Sequence, residues 1–164
     1  MRWLARILSV WMPASARAKA AAEVSATFAG LLAEKLEKEP GKGLDAYRNA
    51  ARDTGAAMGR RLRDEFRLGS SFDDVELAWR LVSKASGMSF LVERVPGRSV
   101  FRHRRCPVYD AGGRRLCENF CLPLVEGLTS AIAPSCRVEM VEMPDGGGRG
   151  CVKALIREAN ADGR

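Results

Sequence analysis

Hydrophobic residues recur at helical spacing through the first half of the chain. From Leu44 to Phe66 they follow a period of about 3.6 residues, which predicts an amphipathic helix. This stripe comprises Tyr47, Ala50, Ala51, Thr54, Met58, Leu62 and Phe66. A second helix is predicted to begin at Ser70 or Ser71, since serine is a favoured N-cap and two aspartates follow, and to end at Gly87. Its core face comprises Val75, Ala78, Trp79 and Val82.

The N-terminal segment contains two further helical patterns. Residues 14–39 are rich in Ala, Leu, Glu and Lys, and Pro40 and Gly41 end the pattern. Residues 1–20 are predicted to form an amphipathic helix that packs on the domain or lies against a membrane surface. Its apolar face comprises Trp3, Leu4, Ile7, Leu8 and Trp11. The first 18 residues also have the residue order of a signal peptide, but their apolar run is short and interrupted by Ser9.

Alternating strand-like runs replace the helical pattern after Gly87. Residues 88–95 and 99–106 flank a Pro-Gly-Arg turn, and residues 136–143 and 151–159 flank a glycine-rich turn, so two hairpins are predicted. A helix lies between them and is expected to start at residues 120–122, because Pro123 fits only the first turn. The predicted fold is α+β, with N-terminal helices packed on an antiparallel sheet of β-β-α-β-β order. Residues 21–164 form its single domain.

Composition and charge narrow the functional classes. The 164 residues have few aromatic side chains, at 7%, which disfavours a stacking platform for single-stranded nucleic acid. The net charge is +7, but the basic residues are scattered, so no nucleic-acid partner is expected. No segment is long and apolar enough to span a bilayer. An odd number of cysteines, five, favours reduced thiols and a cytoplasmic protein.

Four of the cysteines form the strongest candidate site. Cys106, Cys117 and Cys121 lie within sixteen residues, and Cys151 follows the glycine run. In a β-β-α-β-β sheet a strand end, a helix start and the start of a later strand can meet. Four thiolates there would suit zinc or an iron–sulfur cluster. The spacing is not that of a zinc ribbon, so inert buried thiols and a redox or nucleophilic role remain alternatives, and Cys136 is interpreted as an ordinary core residue.

The local structure around Cys117 and Cys121 has two alternatives. On a continuous helix, residues four apart share a face. If the helix begins at Cys121, that thiol lies at the positive helix end, where its pKa is lowered.

Residues 121–151 resemble the C-terminal part of the vinyl-reductase-type small-molecule-binding domains. Gly127 matches the glycine within the helix, Glu142 the acid at the strand end, and Cys151 the last cysteine. Members of that group include sensor domains that hold zinc beside a ligand pocket, so the resemblance implies a small-molecule ligand and a metal. Asp145 stands nearest to the usual hairpin cysteine, which leaves open whether Glu142 or Asp145 replaces a cysteine ligand.

The wider cysteine pattern is also similar to the L-2-amino-thiazoline-4-carboxylic acid hydrolase-like family. The matching positions are Cys106 with Pro107, Leu116 with Cys117, and Cys151. This resemblance implies a metal-dependent hydrolase that cleaves a C–N bond of a small cyclic amidine or amide. Cys121 stands where that family often has aspartate, which favours an all-cysteine site.

Other candidate residues add little chemistry. His103, the only histidine, is interpreted as a surface residue of a basic strand. Glu139 and Glu142 fall on opposite strand faces and are not a catalytic pair. Tyr109, Phe120 and Trp79 could line an apolar pocket, but as core residues they need no ligand.

The leading interpretation is a sensor-like domain that binds a small molecule beside a cysteine-ligated metal. The metal ligands are predicted to be Cys106, Cys117, Cys121 and Cys151, with zinc as the cofactor and an iron–sulfur cluster as the alternative. The hydrolase is the second hypothesis. The third is a dimerising adaptor, a homodimer whose N-terminal helix docks a partner or a membrane. No catalytic base is identified, so whether the protein is an enzyme stays open.

Overall fold

In a computed structural model of the chain, the described residues are 43–106, 116–143 and 150–158, with residues 3, 4, 6, 7, 12–14, 16 and 114. In the continuous range that begins at residue 43, the first elements are two helices, α1 (Gly43–Phe66) and α2 (Phe72–Ala85). A hairpin follows, formed by β1 (Ser89–Val95) and β2 (Arg98–Arg105). A π-helix (Cys117–Cys121) then runs into α3 (Leu122–Ile132), before β3 (Cys136–Glu142) and β4 (Val152–Arg157). The predicted α+β class and the β-β-α-β-β chain order are confirmed.

The four strands form one antiparallel sheet in which spatial order differs from chain order. The strands lie in the order β1-β2-β4-β3, so the last strand is inserted between the second and the third. Arg102 on β2 pairs with Val152 on β4, and the His103 N–H donates to the Cys151 carbonyl over 3.0 Å. The two hairpins are therefore joined by β2 and β4, and the end of β2 lies beside the start of β4.

A compact apolar core lies between the helices and one face of the sheet. Ser71 is the N-cap of α2, as predicted. Its hydroxyl accepts a hydrogen bond from the Asp74 N–H over 3.2 Å in a capping box. Trp79 packs on Phe101 with ring centroids 4.9 Å apart. Its indole N–H donates to the Thr129 hydroxyl over 2.8 Å, which satisfies a buried polar group. Cys136 belongs to this core, as predicted.

The α1 helix packs mainly on α3, which separates it from the sheet. A methyl group added at Gly55 would overlap the Leu124 carbonyl, and one added at Gly127 would overlap the Arg52 carbonyl. The two backbones therefore touch, and the small residue is required on both helices. This contact fixes the position of α3, and with it that of the π-helix that precedes α3.

Most of the N-terminal segment lies outside the described residues. Trp3 and Ile7 are helical and exposed, and Met12 packs against the core. The predicted helix over residues 14–39, the boundary near residue 20 and the glycine-rich turn at 146–148 fall largely or wholly outside the described part. Among the described residues, no helix combines the length and the apolar character needed to cross a membrane.

The α1–α3 contact predicts a large effect of one methyl group. Gly127→Ala should lower the free energy of unfolding by about 3 kcal/mol, because the added carbon has to displace backbone. Gly43→Ala is the matched control, since nothing lies within 4 Å of a Cβ there, and it should change stability by less than about 0.5 kcal/mol. Urea unfolding monitored by circular dichroism measures both. Equal midpoints for the two variants would contradict the contact.

Candidate functional site

The structure brings together the four predicted cysteines. Cys106, Cys117, Cys121 and Cys151 are all buried as free thiols. Cys117 forms side-chain hydrogen bonds with both Cys106 and Cys151, and Cys121 lies close enough to Cys106 and Cys151 to interact with them electrostatically. We refer to these four residues as the thiol cluster. Cys136 lies elsewhere, beside Ser135, as the sequence indicated.

The β2–β4 pairing positions two members of the thiol cluster. Cys106 directly follows the last residue of β2, and Cys151 directly precedes the first residue of β4. Because these strands are antiparallel neighbours, the two positions meet at one end of the sheet. Gly150 permits the approach, since a Cβ there would overlap the His103 carbonyl.

The π-helix positions the other two members of the thiol cluster, Cys117 and Cys121. Its turn is closed by the Leu122 N–H, which donates to the Cys117 carbonyl five residues earlier. Pro123 has no N–H for the α-helical bond to residue 119, which is compatible with this wider turn. The π-helix continues directly into α3, so the continuous-helix alternative is the one observed. The alternative of a thiol at a free helix end is wrong, and burial raises the pKa of Cys121 instead.

Lys153 is a further residue of the candidate site, and it was not predicted from the sequence. It is 2% exposed, and its Nζ donates to Cys151 Sγ over 2.8 Å and to Cys121 Sγ over 3.4 Å. The signal in the sequence was a single lysine within the apolar run of β4, at a position whose neighbours Val152, Ala154 and Leu155 are buried. A charged side chain buried in a central strand needs hydrogen-bonding or oppositely charged groups around it, and for Lys153 these groups are the sulfur atoms of two cysteines.

The interpretation of His103 as a surface residue is wrong. The side chain is 7% exposed, because β2 is paired on both sides and its inward positions Ser99, Phe101 and His103 face the core. The His103 Nδ1 lies 3.1 Å from the Cys151 carbonyl oxygen and 3.8 Å from its Sγ. His103 therefore borders the thiol cluster.

The cluster concentrates negative charge on one sulfur. Hydrogen bonds from Cys117 and His103, together with the charge of Lys153, outweigh burial and lower the pKa of Cys151 to about 3. Its hydrogen bonds with Cys106 and Cys151 raise the pKa of Cys117, which keeps its proton. Burial would lower the pKa of Lys153, but the nearby Cys121 and Cys151 raise it above its usual value. Together with the 2.8 Å contact between Lys153 Nζ and Cys151 Sγ, the lowered pKa favours a Cys151 thiolate paired with a Lys153 ammonium in the metal-free site.

A small cavity adjoins the thiol cluster. Its volume is about 60 Å³, which is more than a single water needs. Cys121, Lys153 and His103 contribute to its lining. The apolar part of its wall is formed by Trp79, Val82, Met88, Phe120, Leu124, Val125 and Leu128. The cavity and the cluster therefore share the Cys121 side chain.

The donor chemistry of the cluster fits a thiophilic metal, although the side chains are not arranged around an ion. Among the described residues, no three His, Cys, Asp or Glu side chains are placed so that they could hold a metal ion as they stand. Four thiols in one buried site are nevertheless the donor set that zinc and iron–sulfur clusters use. Glu142 does not join them, since its side chain is 64% exposed and faces Arg102. Asp145, Pro107 and Tyr109 lie outside the described residues.

The Cys151 pKa predicts a thiolate that survives mild acid. An ordinary thiol titrates near pH 9.0. In the metal-free protein, thiolate absorbance in the ultraviolet should persist well below this pH, because the charged form of Cys151 is lost only as the pH falls towards about 3. Cys151→Ser should abolish this absorbance, and Cys136→Ser should leave it intact. A titration in which all the absorbance is lost on reaching neutral pH would contradict the ion pair.

The lowered pKa of Cys151 also predicts a contribution of this thiol to the pH dependence of folding stability in the metal-free protein. A thiol whose pKa is lower in the folded than in the unfolded state stabilises the fold. This contribution is complete when the pH is above the unfolded pKa, and it declines as the pH falls from 9.0 to about 3.

Comparison with protein-family models, curated proteins and solved structures gives no match to this chain. The family resemblances drawn from the cysteine positions therefore stay predictions, and the function has to be argued from the site.

Proposed function

We propose that this protein is a small-molecule-binding, sensor-like domain with a cysteine-ligated metal beside its ligand cavity. Cys106, Cys117, Cys121 and Cys151 are the proposed ligands, and zinc is the proposed metal, with an iron–sulfur cluster as the alternative. The observation that carries the proposal is the convergence of four buried thiols from three chain segments next to a cavity.

The donor set supports this choice of metal. Soft thiolate ligands select zinc or iron–sulfur centres over magnesium, calcium or manganese. When bound, such a metal would link the end of β2, the π-helix and the start of β4, so its binding energy would contribute to folding. Four protein ligands leave no coordination position for water, which is typical of structural zinc sites.

The shared wall supports a sensory role. Cys121 belongs both to the thiol cluster and to the cavity lining, and Lys153, which also lines the cavity, donates to Cys121. A ligand in the cavity would therefore contact a proposed metal ligand, and occupancy of either site would bias the other. The wall is mostly apolar, which favours a small uncharged molecule as the ligand.

The two other hypotheses receive less support. A hydrolase needs an open metal position and a general base, and no carboxylate is found among the described residues that line the cavity. The adaptor hypothesis rests on residues 1–20, most of which lie outside the described part of the chain.

Metal analysis tests the proposal directly. Protein purified without oxygen should contain one zinc per chain and be colourless, or contain iron and sulfide with visible absorption. Cys121→Ser and Cys151→Ser should lower the metal content several-fold, because each removes a thiolate ligand. Cys136→Ser is the matched control, a buried cysteine outside the cluster, and should keep full occupancy. Wild-type protein without zinc or iron, with five freely titrating thiols, would overturn the metal site.

The cavity predicts binding of small apolar molecules. Xenon is a suitable first probe, because a volume of about 60 Å³ is well below the roughly 150 Å³ of a cavity that admits benzene. Xenon pressure should raise the thermal midpoint, since a ligand that binds only the folded state stabilises it by mass action. Val125→Phe fills the wall and should abolish the shift. Val141→Phe makes the same change at an exposed strand position and should keep it. Equal shifts for both variants would place the binding elsewhere.

A further inference from the structure

Lys153 is buried beside the thiol cluster but is not itself a proposed metal ligand. We propose that Lys153 is a positioning residue for the metal site, whose buried ammonium compensates the negative charge of the metal–thiolate centre and orients Cys121 and Cys151 through N–H···S bonds. This inference rests on the proposed function and assigns one further residue to the same site.

The burial of Lys153 is the first argument. The residue is 2% exposed, and among the described residues no carboxylate oxygen lies within 4.0 Å of its Nζ. Removing an ammonium from water is costly unless an opposite charge and hydrogen-bond acceptors replace the water. The groups that do so here are sulfur atoms, so the site is built to be negatively charged.

The position of the ammonium is the second argument. Its two sulfur acceptors belong to different elements, Cys121 to the π-helix and Cys151 to the residue before β4. Lys153 lies on β4 opposite Phe101 of β2, and the next inward position of β4 holds the apolar Leu155. One side chain thus fixes the orientation of two proposed ligands relative to each other.

The charge of the proposed centre is the third argument. A divalent ion with four thiolates carries two net negative charges, as does the common oxidised four-iron cluster with four cysteines. One adjacent ammonium halves that charge, and hydrogen bonds to metal-bound sulfur are a recognised means of tuning such sites. An apolar residue at position 153 would leave the full charge in a buried environment.

Substitutions of Lys153 distinguish a positioning role at the metal site from a contribution to packing alone. Zinc affinity is measured by competition with a chromophoric chelator. Lys153→Met should weaken it by about 10–100-fold, the usual effect of losing a residue that supports metal ligands. Lys153→Arg, which keeps the charge and the donors, should restore part of the affinity. Lys84→Met is the matched control, since Lys84 Nζ lies over the Phe90 ring, and should bind zinc as the wild type does.

Unfolding experiments measure the same coupling between Lys153 and the metal without a competing chelator. Lys153→Met should destabilise the zinc-loaded protein more than the metal-free protein, because the compensated charge is larger when the metal is bound. Equal destabilisation in both forms would reduce Lys153 to a packing role and overturn the inference. If Lys153→Met fails to fold, Lys153→Gln removes the charge and keeps a polar head, and the same loss of zinc affinity is expected.

The outcomes also separate this inference from the proposed function. Wild-type protein that binds neither zinc nor iron overturns both. Wild-type protein that binds zinc with an affinity unchanged in Lys153→Met and Lys153→Gln overturns only the role of Lys153. If the centre is an iron–sulfur cluster, the same variants should lower its reduction potential, since an adjacent positive charge favours the reduced cluster, and an unchanged potential would overturn the inference.

Discussion

The pairing of β2 with β4 is the constraint on which the site depends. It inserts the last described strand into the middle of the sheet and brings the Cys151 carbonyl to the His103 N–H. Cys106 and Cys151, which are far apart in the sequence, are thereby placed at one end of the sheet. The contact between Gly127 and the Arg52 carbonyl holds α3 in place on the opposite side, and the π-helix that runs into α3 presents Cys121 to the same point.

Local patterns predicted the elements well, because the signals for a helix or a turn lie within a few residues. Ser71 with Asp74 marked the start of α2, and Gly97, which has a positive φ of 71°, marked the first hairpin. The strand order was beyond such signals, since the insertion of β4 between β2 and β3 depends on contacts between distant segments. The packing role of Gly55 and Gly127 was missed for the same reason, because Gly55 is required only when the Leu124 carbonyl lies beside it.

For the candidate site, the sequence pattern predicted the four thiols but not the positively charged Lys153 beside them. Cys106, Cys117, Cys121 and Cys151 were grouped from topology, and the structure places them together. His103 and Lys153 were not found, because a basic residue in a strand usually faces water and neither is adjacent to a cysteine in a motif. Their burial becomes visible only when β2 and β4 are seen as inner strands, whose inward positions have no access to solvent.

The order of the strands also has a consequence for biosynthesis. A chain made from its N-terminus can form the β1–β2 hairpin early, but β3 has no partner in the sheet until β4 has emerged. The four thiols then meet only in the final step of sheet closure. Until that step, Cys106, Cys117 and Cys121 lack the partners that bury them, so an incomplete chain presents them to oxidants and to adventitious metal ions. Rapid completion of the sheet, rather than the affinity of any single thiol, would protect the site in a growing cell.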